Sequence, residues 1–241
     1  MKRTSLGDLL KEHEVGKVEV ERKVEVKNRF GELCREYEEV LEANDYEGEI
    51  KTIDDILAPS EINAFLQMTI GFEQHQNYDW RTGYVISHLI QKSYDAGNNG
   101  FVLNTQKVKR LNNLGYKIQG TKKRKIELKI EGDVGYDCGW NSNNSTITIG
   151  GNTGNDCGWN STDSTIIIGG NTGYNCGWNS TDSTIIIGGN TGYNCGWDSN
   201  NSTFKIKNKE LYERLKEELN FKKGNRLFLL SPDGTEEVYR P

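Results

Sequence analysis

The sequence predicts an α+β N-terminal domain over residues 1–124, a single-stranded parallel β-solenoid over 125–207, and a helix-plus-hairpin cap over 208–241. Three observations predict it. Cysteines fall at 138, 157, 176 and 195, each 19 residues after the last. The segment Cys157–Asn175, CGWNSTDSTIIIGGNTGYN, recurs letter for letter as Cys176–Asn194. A fixed period of this length marks stacked coils, four to five of them here, each burying its apolar side only against its neighbours. Third, aligned repeats form alternating columns. One runs Leu128, Ile147, Ile166, Ile185, Phe204, and another, two residues on, Ile130, Ile149, Ile168, Ile187, Ile206. Both are apolar throughout and are expected to point inward. The column between them, Lys129, Thr148, Ile167, Ile186, Lys205, tolerates charge and faces outward with Thr146, Thr165, Thr184 and Thr203.

The remaining elements follow from local pattern. Residues 4–14 read as a short helix capped by Thr4 or Ser5, with Leu6, Leu9 and Leu10 on one face. KVEVERKVEVK alternates Val18, Val20, Val24 and Val26 with charges, the mark of a half-buried strand or hairpin. Phe30, Leu33, Cys34, Tyr37, Val40 and Leu41 recur at helical spacing across 28–43, which places Cys34 on a buried face as an inert thiol. Ser60 and Glu61 open a helix through Ile62, Phe65, Leu66 and Ile70. Val85, Ile86, Leu89, Ile90 and Tyr94 mark another over 81–95, stopped by Gly97. FVLN reads as a short strand, Thr105–Leu114 as a helix stopped by Gly115, and YKIQ and KRKIELKIE as strands. After residue 207 the period stops, KELYERLKEELNF reads as a helix, and RLFLLSPDGTEEVYR reads as a hairpin around Asp233-Gly234. Solenoid ends expose unpaired strand edges, so these elements and the N-terminal block are expected as the caps.

Within the coil, Ile166 and Ile168 are followed by Gly170-Asn171-Thr172-Gly173 and then Gly177. This pattern, at the same period, resembles the glycine-rich repeat found in the C-terminal domain of the large chain of glutamate synthase; a similar domain occurs in one of the chains of formylmethanofuran dehydrogenase. The resemblance covers about residues 126–207. It implies a right-handed parallel β-helix that serves as a scaffold. The family's second glycine pair late in the coil is replaced here by residues such as Thr162-Asp163-Ser164. No glutaminase, flavin or iron–sulfur signature accompanies it, so the resemblance carries a fold and no activity. Aligned with it, Cys176 falls at an inward apolar position and Trp178 at a polar, outer one.

Composition narrows the classes. A net charge of −5 argues against nucleic acid and anionic membranes as partners. The run Lys122, Lys123, Arg124, Lys125 reads as a solvated strand approach. No stretch approaches the length of a membrane-spanning segment, and the N-terminus lacks a secretory apolar core. Five cysteines without a C-x-x-C pair fit free thiols in a reducing compartment, so a cytoplasmic protein is expected. The Asn-x-Ser/Thr triplets at Asn144, Asn160, Asn179 and Asn201 are then repeat chemistry rather than glycan sites.

Candidate functional residues lie in two places. The column Trp140, Trp159, Trp178 and Trp197, with Tyr136, Tyr174 and Tyr193 beside it and Asn155 interrupting, forms an aromatic row. Such a row stacks on itself, meets a protein partner or a second copy, or stacks on carbohydrate rings. In the N-terminal block His75, Asp79 and His88 are an alternative site, although their spacing matches no known metal or triad pattern. The cysteine column reads as apolar filler: in-register side chains point the same way, which is poor geometry for a disulfide or a metal. Asn152, Asn171 and Asn190 read as a turn ladder. The column Asn144, Asp163, Asp182, Asn201 lacks calcium-roll spacing, and the outer face lacks the second Thr column of an ice-binding surface. No cofactor or metal is expected. The leading expectation is a non-enzymatic structural or interaction protein; the alternatives are an enzyme with its site in the N-terminal domain and a carbohydrate-binding protein using the Trp column.

Overall fold

A computed structural model describes residues 29–43 and 51–241. The helix expected over 4–14 and the alternating segment through Val18 and Val26 lie outside the described residues. The chain divides into two compact units, Met1–Ile53 and Asp54–Pro241. In the first, helix α1 spans residues 29–42 and buries Leu33, Tyr37, Val40 and Leu41 on one stripe. Cys34 sits at the border of that stripe and is only half-buried, not enclosed as its spacing suggested. Burial, and then the charge of Glu38, push its thiol up.

The second unit opens with two helices. α2 spans Pro59–Met68; Pro59 is pre-set for a first turn, and the Glu61 side chain accepts the Ala58 N–H at 2.7 Å. α3 spans Tyr78–Asp95 and buries Tyr78, Val85, Ile86, Leu89, Ile90 and Tyr94. It stops at Gly97, whose φ of 113° a side chain would resist. Burial pushes the Tyr78 hydroxyl up to about 12.

Eight strands then form one open sheet in sequence order: β1 Gly100–Asn104, β2 Ile126–Glu131, β3 Ser145–Ile149, β4 Thr165–Ile168, β5 Thr184–Ile187, β6 Thr203–Ile206, β7 Arg226–Leu230 and β8 Glu236–Val238. All neighbours from β1 to β7 are parallel, and β8 turns back antiparallel on β7. From β2 to β6 the register pairs each residue with the one a repeat later, Ile147 with Ile166 and Ile166 with Ile185. The two isoleucine columns are buried, and the column between them is at least partly exposed. The four column cysteines are at most 1% exposed. The stacking continues through the turns, where Gly158, Gly177 and Gly196 N–H groups donate to the carbonyls of Cys138, Cys157 and Cys176 at 2.8 Å.

Two expectations fail in the stretch before β2. Thr105–Leu114 is no helix, and YKIQ makes only an isolated parallel bridge, Gln119 to Asn143. Val108, Leu111 and Leu114 are buried at a spacing that imitates a helix face, but the backbone is spent otherwise. Asn113 N–H donates to Tyr136 O and Lys117 N–H to Trp140 O, at 2.9 and 2.8 Å. With β1 already paired to β2, this stretch forms an irregular turn stacked on the first regular one. Hydrogen bonds to a neighbouring turn here outweigh local helix propensity.

Both sheet edges are managed. At β1, Asn63 Oδ1 on α2 accepts the Asn104 N–H, and Gln67 Nε2 donates to the Asn104 carbonyl, at 2.9 and 2.8 Å. At the other end α4, Lys209–Glu218, buries Leu211, Tyr212 and Leu215 and is capped by Asn208, which accepts the Leu211 N–H. Asn225 accepts the Ser202 N–H and donates to the Ser199 carbonyl, standing in for a further repeat. The hairpin expected around Asp233-Gly234 forms as β7–β8. The final edge strand is three exposed residues, two of them Glu236 and Glu237, which discourages further pairing.

Candidate functional site

The repeat places one Trp per turn, two residues after each cysteine, and stacking brings these rings together. Centroids lie 6.0 Å apart for Trp140–Trp159, 5.2 Å for Trp159–Trp178 and 6.4 Å for Trp178–Trp197. Trp159 and Trp178 are stacked, with 17° between their planes. Tyr174 and Tyr193 form a second stacked pair at 6.1 Å and 15°. The first three tryptophans are half-buried, whereas Trp197 is 56% exposed. The tyrosines lie further out: Tyr136, Tyr174 and Tyr193 are 53%, 50% and 66% exposed. Arg214 on α4 lies 6.0 Å from the Tyr193 ring and donates to the Thr191 and Gly192 carbonyls.

The Trp row is longer than the repeat. Tyr116 continues it at 5.1 Å from Trp140, edge-on, and Tyr84 of α3 follows at 5.6 Å from Tyr116. Sequence reasoning missed both. The signal was present in part, because Asn113-Leu114-Gly115-Tyr116-Lys117 follows the pattern of Asp156-Cys157-Gly158-Trp159-Asn160. A helix reading of 105–114 hid it. The irregular turn is held by α3. Gly83 leaves room for the Asn112 carbonyl, which a Cβ there would meet at 1.7 Å. The Ser87 hydroxyl accepts the Gly115 N–H and lies within hydrogen-bond reach of the Gly83 and Asn113 carbonyls.

Polar side chains of the repeats are largely consumed in ladders. Asp133 accepts the Asn152 N–H, Asn152 that of Asn171, and Asn171 that of Asn190, at 2.7–2.8 Å. That backbone donor, with Arg110 at 2.9 Å, holds the Asp133 carboxyl below its ordinary range. Asn179 donates to Asn160, Asn175 to Asp156 and Asn194 to Asn175. The cysteines form a thiol ladder: hydrogen bonding with Cys138 and Cys176, and then burial, push the Cys157 thiol well up. All four thiols are at most 1% exposed, so the column is shielded from reagents in solution. One ladder step is unfavourable. Burial, and then the neighbouring carboxylate of Asp156, raise the Asp137 carboxyl.

His75, Asp79 and His88 do not converge. His75 Nδ1 accepts the Asn77 N–H, and Asp79 accepts from Trp80 N–H and Asn112 Nδ2. His88 lies nine residues beyond Asp79 on α3, half a rotation round and about 13 Å along the axis. Among the described residues no group of three or more His, Cys, Asp or Glu side chains is placed to hold a metal, and no helix is long and apolar enough to cross a membrane. Compared with protein-family models, curated proteins and solved structures, the chain has no significant match.

Proposed function

We propose that the chain is a non-enzymatic scaffold, in which residues 125–207 form a right-handed, single-stranded parallel β-solenoid of 19-residue coils used as a rod and interaction surface. The observation that carries this reading is the fate of the polar repeat residues. The side-chain amides of Asn152 and Asn171, and those of Asn160, Asn175, Asn179 and Asn194, are bonded within the stack. A surface whose polar groups hold its own turns is suited to rigidity rather than to chemistry. The hand follows from the resemblance of the glycine pattern and from the strong right-handed preference of parallel crossovers. The exposed Tyr136, Tyr174, Tyr193 and Trp197 supply the contact surface for a protein partner or a second copy.

A sugar ring needs an open aromatic face. Trp159–Trp178 and Tyr174–Tyr193 turn faces towards one another, so the protein-contact reading is preferred over the carbohydrate one.

Two measurements test the proposal. Insertion of three further copies of Cys176–Asn194 is expected to keep a β-rich circular dichroism spectrum and to lengthen the particle by about 15 Å in small-angle scattering. A chain that unfolds, or that does not lengthen, overturns the rod. Light scattering then tests the surface: concentration-dependent assembly that Tyr174→Ser with Tyr193→Ser abolishes is expected for self-association. Assembly unaffected by that pair of changes removes the tyrosines as its surface.

A further inference from the structure

Repetition accounts for the Trp row only as far as the repeat goes. Within the regular turns each ring meets another because the coil recurs. At the irregular turn the neighbouring columns change, with Leu114 in place of Cys and Lys117 in place of Asn. The row nevertheless keeps a ring there in Tyr116, and α3 adds a further one in Tyr84. Tyr84, Tyr116, Trp140, Trp159, Trp178 and Trp197 thus form an unbroken series, with successive centroids 5.6, 5.1, 6.0, 5.2 and 6.4 Å apart. Rings at these separations meet by face or edge, so an electron passes between neighbours with no intervening group.

The series is also graded along its length. Trp197 at one end is 56% exposed, and the three tryptophans before it are half-buried. Trp140 Nε1 is buried and has no hydrogen-bond partner. An indole N–H only donates, so an oxidised Trp140 has no group beside it to take its proton and remains an electron acceptor. The other end is phenolic. A phenol that releases its proton together with an electron is easier to oxidise at neutral pH than an indole. Tyr84 and Tyr116 are half-buried and line a cavity of about 120 Å³, which has room for water to take that proton.

We propose that the row is a relay for oxidising equivalents, carrying an electron vacancy from Trp197 to Tyr116 and Tyr84. A one-electron oxidant in solution takes an electron from the Trp197 indole and is reduced. Trp178, Trp159 and Trp140 in turn each supply an electron to the ring on the Trp197 side. Tyr116 supplies the last electron to Trp140, or passes on one from Tyr84, and the hydroxyl proton of the tyrosine left oxidised goes to water. The tryptophans are restored. The products are the reduced oxidant, one proton and one neutral phenoxyl radical, and that O–H bond is the only bond broken. Tyr174 and Tyr193 stack on each other outside this series, so the relay does not depend on the contact surface they supply.

The test is pulse radiolysis of the full chain carrying Trp80→Phe, which leaves the four row tryptophans as its indoles. The oxidant is the azide radical, which takes electrons from indoles in preference to phenols at neutral pH. The indolyl absorbance is expected to decay as a phenoxyl absorbance grows, at a first-order rate independent of protein concentration. Tyr84→Phe with Tyr116→Phe keeps both rings, removes both hydroxyls and should abolish that growth. Tyr136→Phe, Tyr174→Phe and Tyr193→Phe together should leave it unchanged. Trp159→Leu interrupts the row and should lower the phenoxyl yield, because vacancies formed at Trp178 and Trp197 are then stranded. Far-UV circular dichroism checks that each variant keeps the fold. Absence of phenoxyl growth in the Trp80→Phe chain overturns the relay. So does growth that survives Tyr84→Phe with Tyr116→Phe, or that is lost with the three outer tyrosines. An unchanged yield in Trp159→Leu overturns passage along the row.

Discussion

The regular turns and the irregular turn at 112–119 share a backbone and differ in side chains. In the regular turns a glycine N–H donates to the inner-column carbonyl of the turn before, Gly139 to Leu114 and Gly158 to Cys138, whereas the Gly115 N–H of the irregular turn donates to the Ser87 hydroxyl of α3. In the inner regular turns the Cys and Trp meet copies of themselves on both sides, as Trp159 does between Trp140 and Trp178, and Asn160 lies between Asn141 and Asn179. Ladders result, and each side chain needs only to suit its own kind. At the irregular turn one neighbour is a helix. Leu114, Tyr116 and Lys117 replace Cys, Trp and Asn, and Gly83 and Ser87 are fitted to the backbone of this turn at Asn112, Asn113 and Gly115. The stacked backbone sets the architecture, and side-chain identity changes where the neighbour changes.

Five substitutions probe that contrast. Leu114→Ala empties a fully buried site with no copy of itself to relax into, and should cost about 2–5 kcal/mol in urea unfolding, against about 1 kcal/mol for Cys176→Ala. Equal costs would erase the distinction between the two turns. Gly177→Ala places a methyl group at 2.4 Å from Ile185 Cδ1 with φ of 66°, while Gly115→Ala meets Ile147 Cδ1 at 3.2 Å. The first should lose about 2–4 kcal/mol and the second about half of that, by the same measurement. Asn171→Ala removes the acceptor of the Asn190 N–H in an exposed turn where water can replace it, so a loss of about 1 kcal/mol is expected.

The smallest effect has the opposite sign. Asp137 is raised by burial and by Asp156, so the folded chain holds its proton more tightly than the unfolded chain does. The stability this contributes is complete below the ordinary carboxyl range and is lost as pH rises through the folded value. Asp137→Asn, which introduces the amide that Asn175 and Asn194 already have at this position, should raise the urea midpoint at neutral pH and leave it unchanged in acid. An equal gain at both pH values would assign the effect to packing instead.

Periodicity made the repeat legible because each column repeats one environment several times. The inward isoleucines, the buried cysteines and the Asn152–Asn171–Asn190 ladder are each visible as a column of like residues. The turn at 112–119 occurs once, with a 24-residue step from Gly115 to Gly139, and Val108, Leu111 and Leu114 carry an i, i+3, i+6 spacing that reads as a helix. Nothing local distinguishes a helix face from a turn whose hydrogen bonds go to another turn. Cys34 departs from its expected enclosure for a related reason: spacing assigns a stripe but not how far cover extends past its edge.

By itself the sequence determined the period, the inward and outward columns, α2, α3 and α4, and the β7–β8 hairpin, because local propensity and a repeated alternation act in the same direction. Only tertiary structure decided that β1 joins the sheet and that the Trp row runs on through Tyr116 to Tyr84. It also decided that His88 and Lys117, 29 residues apart, line one cavity. Those outcomes depend on which backbone donors and acceptors meet between distant segments, and no local pattern encodes that meeting.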